Sequence, residues 1–160
     1  MPKKAQAVPK GYHTVTPSLV IDGAAQAIDF YKKALGAEEL SRFPGPDGSI
    51  MHAEIRIGDS TLMLADEMPD QGTRGPKSRG GTSVSFFIYK EDVDAAWKRA
   101  VDAGAKPVVP LADQFWGDRA GSFEDPFGHV WWLAQHIQDL TPEELRKSAE
   151  AFFSQMQTAS

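Results

Sequence analysis

The sequence contains no cysteine. This absence excludes a disulfide framework, thiolate zinc sites and cysteine nucleophiles, and it agrees with a reducing compartment, so we expect a cytoplasmic protein. Long apolar runs are also missing, since no segment approaches the ~20 apolar residues of a membrane span. The lysines near the start of the chain are followed by no apolar stretch. We therefore expect neither a membrane-bound protein nor a secretory signal.

Basic residues are scarce compared with acidic ones. The chain of 160 residues has 17 Lys and Arg against 22 Asp and Glu, which gives a net charge of −5. A nucleic-acid binder needs a basic excess to neutralise phosphates, so we expect no nucleic-acid partner. The 41% hydrophobic content is that of an ordinary globular protein, in one domain or in two small fused halves.

The first half, residues 14–65, reads as a strand, a helix and three further strands. Apolar residues recur at three- and four-residue spacing from Ala24 to Leu35, which predicts a helix with one buried face. We expect Asp22 to cap its first turn and Gly36 to end it. The turn at residues 44–48 holds two prolines and two glycines and predicts a hairpin. Residues 1–13 are expected to form a flexible arm.

The second half, residues 83–137, repeats this order. Residues 30–35 (Phe-Tyr-Lys-Lys-Ala-Leu) resemble residues 96–101 (Ala-Trp-Lys-Arg-Ala-Val), and such self-similarity indicates an internal repeat. We expect a helix capped by Asp92 and strands at residues 84–89, 106–111, 115–123 and 129–136. The Gly- and Pro-rich residues 66–82 predict a linker loop between the halves.

Residues 138–160 predict a final helix. Thr141 and Glu144 have the spacing of a capping box, and Pro142 occupies the first helical position. Phe152 and Phe153 make this helix too apolar to stand alone in water. We expect it to pack on the body of the protein or on a second subunit.

Three long runs carry a family resemblance: residues 16–31 (T-P-S-L-V-I-D-G-A-A-Q-A-I-D-F-Y), 50–59 (I-M-H-A-E-I-R-I-G-D) and 113–121 (D-Q-F-W-G-D-R-A-G). With the D-P-F-G-H motif at residues 125–129, they resemble the vicinal oxygen chelate superfamily of glyoxalases, bleomycin-resistance proteins and extradiol dioxygenases, most closely its PhnB-like branch. The resemblance implies an α+β fold with two tandem βαβββ modules, whose cupped mixed sheets surround a cavity. It also implies a small-molecule ligand and a homodimer.

The resemblance also implies four metal-ligand positions, which the metal-binding members fill with His and Glu. In this sequence these positions correspond to Thr16, Met63, Ser85 and Trp132. A thioether and an indole cannot anchor a hard divalent cation. We therefore expect no metal and no other cofactor.

Strand alternation predicts which side chains face the cavity. The predicted wall is mainly aromatic and aliphatic, as in a pocket for a flat, partly apolar ligand. The ligand-binding candidates are Thr16, Arg56, Met63, Ser85, Phe87, Tyr89, Trp116, Arg119 and Trp132. Alternatively, the aromatic residues fill a closed core. Arg119 could grip a ligand carboxylate or phosphate, or could pair with Asp118, Glu124 or Asp125.

Two functions remain open at this point. The first is a glyoxalase- or bleomycin-resistance-like protein that binds a small, partly aromatic molecule in a metal-free cavity. The second is an enzyme, such as a lyase, isomerase or dioxygenase-like protein. It would use His52 and Glu54, which share one strand face, as an acid–base pair or as metal ligands. A polar stripe with no chemical role is the alternative reading of that pair.

Overall fold

The computed structural model of the chain describes residue 1 and residues 3–159, in which two βαβββ modules follow one another. The N-module contains β1 (Ser18–Ile21), α1 (Ala24–Leu35), β2 (Glu38–Pro44), β3 (Ile50–Ile57) and β4 (Ser60–Asp66). A short helix α2 (Pro76–Arg79) lies between the modules. The C-module contains β5 (Ser85–Tyr89), α3 (Val93–Asp102), β6 (Lys106–Asp113), β7 (Asp118–Glu124) and β8 (Val130–His136), and α4 (Pro142–Thr158) follows it.

Each module forms a four-stranded mixed sheet, with strand orders β1-β4-β3-β2 and β5-β8-β7-β6. The first strand of each module runs parallel to the last, and the other neighbours are antiparallel. Ser18 pairs with Met63 in the first sheet, and Phe87 pairs with Trp132 in the second. The predicted α+β fold of tandem βαβββ modules is confirmed, and these two pairs occupy equivalent places in the repeat.

One hydrophobic core includes residues of both modules. Tyr31, Leu64, Trp131 and Leu133 are almost fully buried within it. Alternation therefore turns one face of each sheet toward the helices, as the sequence pattern predicts. The other face of each sheet, opposite the helices, is called here its cup face.

The buried carboxylate of Asp125, in the turn between β7 and β8, joins the two modules. Its Oδ2 accepts hydrogen bonds from the Tyr31 hydroxyl (2.6 Å) and from Trp131 Nε1 (2.9 Å). Its Oδ1 accepts the backbone N–H groups of Phe127 and His129. Both carboxylate oxygens are therefore satisfied, and a helix of one module is tied to a turn of the other.

The start of α1 differs from the prediction. Asp66, at the end of β4, accepts the N–H groups of Gly23 and Ala24 through Oδ1, and that of Ile50 through Oδ2. Asp22 is exposed and is not the cap. Gly23 adopts a φ of 97°, a left-handed conformation that places the chain in reach of the more distant carboxylate.

Two strand boundaries also differ from the prediction. β1 begins at Ser18 rather than at residue 14, and β7 begins at Asp118 rather than at residue 115. Phe115 and Trp116 lie in a turn, which Gly117 closes with a φ of 94°. This turn lets the two aromatic side chains leave the sheet.

Residues 66–82 have local structure of their own. Met68 and Thr73 form an isolated bridge, and Gly75 and Pro76 are buried. Gly75 donates its N–H to Glu67, and a Cβ at Gly75 would lie 2.9 Å from the Val20 carbonyl oxygen. The segment is thus packed against β1.

The capping box of α4 is present as predicted: the Thr141 hydroxyl accepts the Glu144 N–H, and the Glu144 carboxylate accepts the Thr141 N–H. Phe152 and Phe153 lie 5.0 and 5.9 Å from the ring of Phe115, centroid to centroid. The helix therefore meets the body of the protein at the turn before β7. Within residues 1 and 3–159, no helix is long and apolar enough to cross a membrane.

Candidate functional site

Four aromatic side chains, called here the aromatic floor, meet at the cup face of the C-module: Phe87 and Tyr89 from β5, Trp132 from β8, and Trp116 from the turn before β7. The rings of Phe87 and Trp132 are stacked, with centroids 5.1 Å apart and planes 11° apart. Trp116 meets Trp132 edge-on at 6.3 Å, and Tyr89 lies 6.0 Å from Phe87. The structure thus brings together four of the residues that the sequence analysis proposed for ligand binding.

The aromatic floor is open to solvent. Phe87 is 45% exposed and Tyr89 is 61% exposed, and Trp132 is half-buried. Side chains that merely filled a closed core would be buried, as Trp131 is on the opposite face of β8. A flat molecule can therefore reach these rings.

Asp118 holds the aromatic floor in position, although the sequence analysis considered it only as a partner of Arg119. It is 3% exposed, and its Oδ2 accepts hydrogen bonds from Trp116 Nε1 (2.9 Å) and the Tyr89 hydroxyl (3.1 Å). Its Oδ1 lies 2.8 Å from Nδ1 of His136. Strand alternation alone could have placed Asp118 on the same face as its register partner His136, but not the Trp116 bond, which depends on the turn.

This arrangement changes the acid–base behaviour of two neighbours. Burial, followed by the hydrogen bond to Asp118, raises the pKa of Tyr89. Hydrogen bonds to Asp118 and then to Asp139 raise the pKa of His136, whose Nε2 lies 2.8 Å from Asp139. A protonated His136 donates both ring N–H groups to carboxylates and links β8 to the segment before α4.

The cup face of the N-module is polar. His52 Nε2 lies 3.2 Å from Glu54 Oε1, so the pair proposed from the sequence is in contact. Tyr12 hydrogen-bonds to Glu54, which raises the Tyr12 pKa to about 12 and, together with His52, lowers that of Glu54. Tyr12 had been assigned to the flexible arm, and no local pattern in the sequence indicated this long-range contact.

The remaining candidates are held in ion pairs or lie at the edges. Arg56 pairs with Glu38. Arg119 lies on the helix side of β7 and pairs with Asp94 and Asp113 rather than with the three predicted carboxylates, and these bonds raise its pKa. Thr16 precedes β1 and donates to the His13 carbonyl, while Ser85 is exposed at the start of β5.

The four positions that the resemblance implies for metal ligands do not suit a divalent ion here. Thr16, Met63, Ser85 and Trp132 offer two hydroxyls, one thioether and an indole that can only donate a hydrogen bond. Divalent metals in proteins are held mainly by imidazole, carboxylate, carbonyl and thiolate ligands, and these four side chains offer none of them. In the part of the chain that the structure describes, no three His, Asp or Glu side chains come close enough to share an ion.

Comparisons with known proteins agree with this fold. Protein Mb0911c of Mycobacterium bovis is 47% identical over 135 residues, which is 82% of this chain and 89% of that protein. The structure of the Arabidopsis thaliana gene product At5g48480 is 30% identical with a TM-score of 0.63, and the match covers 77% of this chain and 98% of that one.

Two further structures show the same architecture. TnmS3, an antibiotic binding protein from Streptomyces sp. CB03234, is 25% identical with a TM-score of 0.60, over 82% of this chain and 99% of that one. A PhnB protein from Bacillus cereus is 19% identical with a TM-score of 0.57, over 77% of this chain and 99% of that one, and shares the fold. The family model matches residues 12–133. This chain belongs to the Glyoxalase/Bleomycin resistance protein/Dioxygenase superfamily.

Proposed function

We propose that this protein binds a small, flat, partly aromatic molecule on the aromatic floor, without a metal. The observation that carries the proposal is the stacked pair of the exposed Phe87 and the half-buried Trp132, of which Trp132 occupies a position that the resemblance implies for a metal ligand. Aromatic rings offer large apolar contact surfaces with defined stacking geometry. The antibiotic-binding character of TnmS3 supports the same type of function for this chain.

Rigidity supports the proposal as well. The hydrogen bonds from Trp116 and Tyr89 to the buried Asp118 fix two of the four rings before any ligand arrives. A site whose side chains are already ordered loses little conformational entropy on binding. These hydrogen bonds therefore preorganise two of the four rings of the aromatic floor for binding.

The test compares Trp132→Ala with Met63→Ala, its equivalent in the N-module. The probe is 2-naphthol, a neutral flat aromatic, and its affinity is measured by calorimetry. We expect Trp132→Ala to weaken binding by roughly 1–3 kcal/mol, and Met63→Ala to leave it unchanged. If Trp132→Ala instead costs about 3–5 kcal/mol of stability while affinity is unchanged, Trp132 is a packing residue and the proposal fails. Absence of saturable binding to the wild type would also refute it.

We further propose that the protein is a homodimer. Apolar side chains stay exposed on the edge strand β2, on the cup face of the C-module and on α4, among them Phe43, Phe87, Phe153 and Met156, and apolar patches of this kind mark association surfaces. Sedimentation at micromolar concentration should give twice the 17.5 kDa of the chain. A monomer under these conditions would contradict the proposal.

A second candidate function is acid–base catalysis at the N-module cup. The contact of Glu54 with both His52 and Tyr12 favours it, because a carboxylate can orient an imidazole for proton transfer. The test is conversion of the hemithioacetal of methylglyoxal and glutathione. Turnover by the wild type that is lost in both His52→Ala and Glu54→Gln would support an enzyme, and its absence would favour the binding function.

A further inference from the structure

A concave region lies between the two modules. This inter-module cleft has a volume of about 520 Å³ and shares no side chain with the floor. Val15 and residues 17–20, in and before β1, bound one side, and residues from the segment 74–84 bound the other. Phe86 and His129 from the C-module also line it.

Most of the lining is apolar. Val15 is 82% exposed and Val84 is 56% exposed, so two β-branched side chains flank the opening without cover. Deeper in the cleft, Phe86 packs on the buried Trp131 at 4.8 Å. His129 is 8% exposed, and its Nε2 hydrogen-bonds to the Val20 carbonyl oxygen. The wall is therefore apolar and fixed, as in sites that take the hydrocarbon part of a ligand.

Two arginine side chains lie next to this apolar surface. Arg74 and Arg79 both line the cleft. Among the described residues, neither guanidinium forms an ion pair within 4.0 Å of a carboxylate. Arg79 donates to the carbonyl oxygens of Arg74 and Gly72, which holds the segment in shape.

The acidic side chain of Glu67 lies near Arg74. It accepts hydrogen bonds from Ser78 and from the Gly75 N–H, and these, with a smaller contribution from the charge of Arg74, lower its pKa. The Glu67 carboxylate is thus occupied by hydrogen bonds within residues 67–78. Among the residues that the structure describes, the lining contains these two arginines and no acidic residue, which leaves the cleft cationic in a protein whose net charge is −5.

From these observations we propose that the inter-module cleft binds an amphipathic organic anion, with a carboxylate or a similar acidic head. The head meets the planar fork of Arg74 and those N–H groups of Arg79 that do not donate to the Arg74 and Gly72 carbonyl oxygens, because guanidinium donors suit an oxyanion. The apolar tail lies against Pro76, Val84 and Phe86. This site differs from the aromatic floor in both place and chemistry, so the protein has two binding regions of different preference.

The experiment measures calorimetric affinity for octanoate and for its uncharged counterpart, octan-1-ol. We expect octanoate to bind the wild type at least about tenfold more tightly than octan-1-ol, which corresponds to about 1.4 kcal/mol. Arg74→Ser/Arg79→Ser should reduce octanoate affinity about tenfold or more. The matched control Lys33→Ser/Lys106→Ser removes the same charge from exposed positions outside the cleft and should have no such effect.

Arg79 also stabilises its own segment through hydrogen bonds to two carbonyl oxygens, so its substitution alters structure as well as charge. A second variant therefore keeps both arginines. Val84→Asp places an acid at the exposed rim and should weaken octanoate more than octan-1-ol. Trp132→Ala should leave octanoate affinity unchanged, which separates this site from the proposed function of the floor. Equal binding of the two probes, an equal loss in the lysine control, or unchanged affinity in both cleft variants would each overturn the proposal.

Discussion

The two modules share one fold, yet their cup faces are chemically opposite. The pair Ser18 and Met63 in the N-module occupies the place of the stacked Phe87 and Trp132 in the C-module. The helix sides, in contrast, contribute similar apolar side chains to one core. Packing constrains the helix side of each sheet in the same way, while the cup face is free to diverge, so the two modules differ most on their cup faces.

The turns that precede the last strand of each module differ in the same way. Asp125 is buried and accepts four hydrogen bonds, of which the one from Tyr31 crosses the module boundary. Asp59, in the corresponding turn of the N-module, is exposed and contacts only the neighbouring Ser60 among the bonds found for it. The two turns of the repeat therefore differ in how many hydrogen bonds they contribute to the fold. One pair of variants can compare the two turns, and a second pair can compare the two cup faces.

The largest effect is expected for Asp125→Ala. The change leaves the Tyr31 hydroxyl, Trp131 Nε1 and two backbone N–H groups buried without an acceptor. We expect a loss of about 3–5 kcal/mol in the free energy of unfolding, measured by urea denaturation. Asp59→Ala should stay within about 0.5 kcal/mol of the wild type. Similar losses in the two variants would show that the turns are equivalent after all.

An exchange of the cup residues should have the next largest effect. Phe87→Ser/Trp132→Met gives the C-module the pair found in the N-module, and should weaken 2-naphthol binding by about 30-fold, or roughly 2 kcal/mol. Ser18→Phe/Met63→Trp, the reverse exchange, should leave binding at the aromatic floor intact. Calorimetry on both double variants decides the matter. If only the reverse exchange abolishes binding, the site lies in the N-module and our assignment to the C-module is wrong.

The smallest effect concerns pH. The pKa of His136 is raised above its ordinary 6.5 by Asp118 and, to a lesser extent, Asp139, so the folded protein favours the protonated imidazole. Its stabilising contribution is fully present below about pH 6.5 and is lost as pH rises through the raised pKa. The difference in melting temperature between wild type and His136→Asn should therefore shrink from pH 5.5 to pH 8.5. A difference that is constant over this range would contradict the assignment.

Periodicity was enough to predict the modules, the helix-facing core and the membership of Phe87, Tyr89 and Trp132 in one face. These features depend on local spacing, which the sequence displays directly. The cap of α1 by Asp66, the bond from Tyr12 to Glu54 and the hydrogen bonds at Asp118 were not predicted, because each joins residues whose approach depends on the completed fold. The ion pairs of Arg119 were missed for the same reason, since Asp94 lies on a helix in a different part of the chain.

The bridge at Asp125 has a consequence for folding. Because a helix residue of the first module is bound by a turn of the second, neither module can complete its core until both chain segments have been synthesised and brought together. Loop-closure entropy over a sequence separation of 94 residues must be overcome first, which slows folding. The two modules should then unfold as one cooperative unit, and their slowest-exchanging amides should share one opening free energy.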